Sequence, residues 1–83
     1  MIYKKYFVRE DFEPKEGQWM LDIQDAIDQK VNSNPYQYDS IEHFLGNPAC
    51  GPYVIVECDS LPAAEVAQHA ILDVLYKFGV KRR

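Results

Sequence analysis

Nothing in this sequence approaches the ~18 consecutive apolar residues of a membrane-spanning helix. Its start, MIYKKYFVRE, has basic residues but lacks the continuous apolar core and small-residue cleavage site of a secretory signal. There are only two cysteines and two histidines. Two cysteines without a secretory signal point to free thiols in a reducing interior, so the expected location is cytoplasmic. Cations are the scarcer charge, nine Lys and Arg against thirteen Asp and Glu, giving a net charge of −4. That balance disfavours nucleic acid as the main ligand. Internal repeats, low-complexity segments and linkers are also missing.

What is present describes an ordered domain. Hydrophobic residues make up 47% of the chain and aromatic residues 13%, too much for a disordered segment. The 83 residues suffice for one domain, residues 1–83. Size scaling gives roughly 5,000 Å² exposed when folded against about 14,000 Å² unfolded, a modest but genuine core.

Residues 2–9, IYKKYFVR, are rich in aromatic and β-branched types and read as a strand. The lysines on its faces suit a sheet edge. DFEPKEG breaks it, with Pro14 and Gly17 as punctuation. Over residues 18–31, Trp19, Met20, Ile23, Ala26, Ile27 and Val31 fall on one stripe at helical spacing. The alternative for QWMLDI is the second strand of a hairpin. Asn32, Asn34 and Pro35 end the helix. Asp39 and Glu42 have capping-box spacing, which predicts a short helix over SIEHFL, closed by Gly46 and Pro48. YVIVEC, residues 53–58, is the strongest strand, and its unbroken apolar run reads as burial on both faces at the centre of the sheet. Ser60 caps a final helix with Pro62 in its first turn, running to about Phe78, with Gly79 as the stop. The fold class is α+β, in the order β-α-(short α)-β-α, with helices packed on a sheet of two to four strands. Two strands alone are marginal, so a homodimer sharing a sheet or helix face is expected.

The stretch HFLGNPACGPYVIVEC holds both cysteines and His43, and His69 follows eleven residues after Cys58. Geometry separates them. A strand over residues 53–58 spans close to 20 Å at about 3.3 Å per residue, with Cys50 beyond one end and Cys58 at the other. Neither a disulfide nor a zinc ion bridges that distance. No metal site and no cofactor are expected, and Cys58 reads as a small core residue.

Two helical faces carry candidate functions. Leu21 on the first helix lies among Asp22, Asp25 and Asp28, opposite the core stripe. An exposed leucine ringed by carboxylates suits a partner protein with a basic rim and an apolar pocket. On the last helix, Glu65, His69 and Asp73 are spaced i, i+4, i+8, with Tyr76 between them on the wheel. A carboxylate four residues from a histidine can raise its basicity and fix its tautomer, as general acid–base chemistry requires. The expectation is a protein-binding regulator, adaptor or inhibitor acting through Leu21, Asp22, Asp25 and Asp28. The alternatives are a small enzyme using His69 with Glu65 or Asp73, and a nucleic-acid binder using the lysines and aromatics of YKKYFVR.

Overall fold

A computed structural model describes residues 4–14, 19–46 and 51–83. The elements are β1 (Tyr6–Asp11), α1 (Trp19–Val31), β2 (Ser40–Phe44), β3 (Tyr53–Cys58) and α2 (Leu61–Lys77). The three strands form one antiparallel sheet in the order β1-β3-β2. This is an α+β fold with YVIVEC at its centre and the N-terminal strand at an edge. Residues 19–31 are helical, so the hairpin alternative falls.

SIEHFL is not a short helix. Residues 40–44 form β2, paired with β3 through Ile41↔Val56 and His43↔Val54. Asp39 does not cap a helix: its backbone N–H donates to the Glu57 carbonyl at 2.8 Å, and its carboxylate pairs with Lys5. In so short a segment, Ile41, Phe44 and Leu45 fit helical spacing as well as they fit a strand. The strong neighbouring strand decides the outcome. With the third strand supplied internally, strand count no longer calls for a second copy of the chain.

Alternation along the strands sorts the two sheet faces. Val8, Val54, Val56 and Cys58 are buried on the face covered by the helices. From α1, Ile23, Ile27 and Val31 enter the same core, while Met20 stays exposed. Alanines 63, 64, 67 and 70 line the buried side of α2, where small side chains let the helix approach β1 and β3 closely. Phe12 is the largest fully buried residue and meets Trp19 edge to face, with centroids 6.3 Å apart.

Local chemistry fixes the helix ends. The Ser60 hydroxyl accepts from the Ala63 backbone N–H at 3.3 Å. At the end of α1, the Asn32 and Asn34 side-chain amides donate to the Asp28 and Val31 carbonyls at 2.8 and 2.7 Å. They lie in the last turn, where helix carbonyls run out of backbone donors; Asp28 also accepts from the Asn32 backbone N–H at 3.1 Å. Gly79, at φ +66°, turns the chain after α2 through the left-handed region that glycine tolerates.

The C-terminal tail then returns to the sheet. Glu13 N–H donates to the Lys81 carbonyl at 2.9 Å and Arg83 N–H to the Asp11 carbonyl at 2.8 Å, an antiparallel bridge of Phe12 with Arg82. The order tail-β1-β3-β2 is that of a split β-α-β sheet whose fourth strand is cut to one bridge. Among the described residues, no helix is long and apolar enough to cross a membrane.

Candidate functional site

The last helix presents Glu65, His69 and Asp73 to solvent, and Tyr76 is 88% exposed. They share a convex surface, as their spacing implies. The open groove between α1 and α2, about 680 Å³, has Asp73 and Tyr76 on its wall but not His69. General acid–base work needs a pocket that holds substrate against the imidazole, and among the described residues His69 lines neither this groove nor the one between β1 and α2. Among the described residues, no three His, Cys, Asp or Glu side chains are grouped to hold a metal ion.

The histidines and cysteines of the opening stretch lie apart. His43 faces the core opposite Val54, whereas Cys58 sits four residues along β3, about 13 Å away at strand rise. The Cys58 thiol is buried, with Sγ 3.6 Å from the Ser60 carbonyl oxygen. Burial pushes it above the usual thiol range, the opposite of what a nucleophile needs. Cys50 lies outside the described residues.

On α1, Leu21 is 55% exposed and Asp22 and Asp25 are exposed beside it. Asp28 is drawn away from that patch. Its Oδ1 lies 3.0 Å from Nε2 of His43, whose side chain is only 10% exposed, although the pair lacks the alignment of a hydrogen bond. This contact fastens α1 to the edge strand β2. It could not be read from the sequence while His43 was placed on a helix.

The sequence did not point to the second face of the sheet. Pairing sets three rows across it: Phe7–Glu57–Ser40, Arg9–Ile55–Glu42 and Asp11–Tyr53–Phe44. Both helices cover the opposite face. Phe44 stacks on Tyr53 with centroids 4.6 Å apart, and the Arg9 guanidinium lies 3.8 Å above the other side of the Tyr53 ring. Asp11 holds that guanidinium through hydrogen bonds of 2.8, 3.0 and 3.3 Å, and Arg9 in turn lowers the Asp11 carboxyl from its usual range. Phe7 is 64% exposed. An aromatic strip thus runs beside four carboxylates, Asp11, Asp39, Glu42 and Glu57, and two cations, Lys5 and Arg9. The sequence signal was available in the alternation of Phe7, Arg9 and Asp11 and of Tyr53, Ile55 and Glu57, once the unbroken run in β3 is not taken to mean burial on both sides.

One buried charge completes the inventory. Glu10 is 2% exposed, and its carboxylate accepts from Gln68 Nε2 at 3.0 Å and is ion-paired with Arg82, whose Nε lies 2.8 Å from Oε2. It anchors the tail to α2 and β1, and its paired state marks it as structural. Comparison with known proteins finds no matching family model, no similar curated protein and no similar solved structure.

Proposed function

We propose that this chain is a protein-binding module, a regulator or adaptor that acts by contact, and that the open face of its sheet is the principal contact surface. The observation that carries this reading is the strip of Phe44, Tyr53 and Ile55 with exposed Phe7, held by the Arg9 stack on a face that, among the described residues, no helix covers. Aromatic side chains fixed in place give large contact area at little entropic cost, the character of an interface centre. Four carboxylates against two cations make a partner with a basic rim the complementary one. The same balance weighs against phosphate-rich nucleic acid, although aromatics on a sheet can stack bases. The patch around Leu21, Asp22 and Asp25 has the same chemistry and serves as a second contact for such a partner. A reducing, cytoplasmic setting suits the buried Cys58 thiol.

The test is affinity capture with three forms of the chain, each checked for its fold. These are wild type, Ile55→Glu with Phe44→Ala, and Leu21→Ala with Asp22→Lys and Asp25→Lys. A single protein retained in stoichiometric amount by wild type and lost by the sheet variant supports the reading. Loss in the Leu21 variant alone would move the contact to α1. If wild type retains no specific protein, the binding reading fails, and His69→Ala becomes the variant to assay against ligands.

A further inference from the structure

The outer side of β1 is a second site of different chemistry. Main-chain groups alternate along a strand, and here the parity is fixed by observed bonds. Phe12 N–H donates inward to Pro52 of the β3 side at 3.1 Å, while Asp11 and Glu13 bond outward to the tail. Phe7 therefore directs its N–H and C=O outward, into a groove of about 300 Å³ between β1 and α2. Leu61, half exposed, and Ala64 form the apolar wall, and Gln68 lies towards the tail end.

The chain itself shows what this slot accepts. Its tail pairs with the same side of β1 at Asp11–Glu13, in antiparallel sense and in line with the groove. The ends of the groove are basic. Lys4 stands over the Tyr6 ring at 5.4 Å at one end, and Lys81–Arg83 close the other. Glu10 is matched by Arg82, which leaves Glu65 as the acid on the wall. A second copy pairing β1 to β1 would bring Lys4 against this basic tail. Charge therefore favours a different occupant.

We propose that the edge Tyr6–Glu10 and the wall Leu61–Gln68 form a docking groove for an extended segment of another protein. The segment adds as an antiparallel strand collinear with the tail, apolar at alternate positions and acidic at its ends. Backbone pairing supplies affinity, and the side-chain positions facing Leu61 and Ala64 supply selectivity.

The site can be tested without knowing the partner. A displayed library of random peptides about twelve residues long, ample at ~3.3 Å per residue to span the edge, is selected on the wild-type chain. Enriched peptides are then synthesised and titrated. Alternating apolar residues with acidic ends, and slowed hydrogen exchange at the Phe7 amide in the complex, are expected. Phe7→Pro removes an outward N–H that the β1–β3 ladder does not use, so the sheet persists while strand addition is blocked. It should weaken binding roughly tenfold or more, whereas Phe7→Ala, which keeps the N–H, changes affinity less than about threefold. Leu61→Glu, at the first turn of α2 where acids are tolerated, should weaken binding as well and serves if the proline variant does not fold. Equal loss in Phe7→Ala and Phe7→Pro assigns the peptides to the open sheet face and overturns the groove. So does a failure to enrich any peptide, or a concentration-dependent dimer abolished by Phe7→Pro. The Ile55→Glu, Phe44→Ala form should bind the selected peptides normally, which separates this site from the sheet-face interface.

Discussion

At the scale of single residues, two buried groups set the sharpest expectations. Arg82→Ala leaves the Glu10 carboxylate buried with Gln68 alone, since Glu10 is 2% exposed and Arg82 supplies its charged partner. The cost should be about 1–3 kcal/mol, read from urea unfolding. Cys58 and Tyr38 give an alkaline limit. Burial raises the Cys58 thiol above its ordinary 9.0 and the Tyr38 phenol above its ordinary 10.0, so both stay neutral in the fold while the unfolded chain ionises. The unfolded state then holds fewer protons, and stability falls as pH climbs through and beyond those ordinary values. Unfolding midpoints followed from pH 8 to 11 should decline, with an earlier portion missing in Cys58→Ala. In a Cys50→Ser background, alkylation of Cys58 should proceed only as fast as the chain opens. Neither Glu10 nor Phe12 could be recognised as buried from the sequence, because the strand seemed to end at Arg9. Its continuation to Asp11 is set by pairing with β3, Glu10 with Val54 and Asp11 with Tyr53, more than forty residues away in the chain.

At the scale of elements, legibility follows how local the determinants are. α2 was readable end to end because Ser60, Pro62 and Gly79 act within a turn of their own positions. Ser60→Ala should cost about 1 kcal/mol by loss of the cap. Gly79→Ala should cost about 1–2 kcal/mol, since alanine at φ +66° is strained. Both are measurable as shifts in thermal midpoint. β2 was not readable, because nothing local separates a short helix from a strand in SIEHFL. Its partner β3 selects the extended form, and the His43–Asp28 contact follows only once that choice is made. Of the two helical faces singled out, Leu21, Asp22 and Asp25 are exposed as expected, whereas Asp28 is engaged. The open sheet face went unread because alternation in β3 is hidden by Tyr53 and Ile55, apolar residues on its uncovered side.

The whole molecule is electrically divided. Acids dominate the sheet face and α1, while Lys4 and Lys81–Arg83 lie along one edge, within a chain of net charge −4. The exposed pairs Lys5–Asp39 and Arg9–Asp11 contribute little to folding, and salt screens them further. Thermal stability should therefore change little between low and moderate salt, while binding through either surface weakens. Opposite results, a salt-sensitive fold with salt-indifferent binding, would mean that these charges are structural rather than a recognition device.

The tail that bridges Phe12 to Arg82 also decides how the protein can be handled. It runs antiparallel to β1 and points along the groove, so a segment fused after Arg83 is delivered to the same edge at millimolar effective concentration. An affinity tag placed there would compete with a strand docking in the proposed groove, and not with a partner on the open sheet face. The same fusion, made with a chosen strand, would extend the domain to a full four-stranded sheet of higher stability, with β2 still at its other edge.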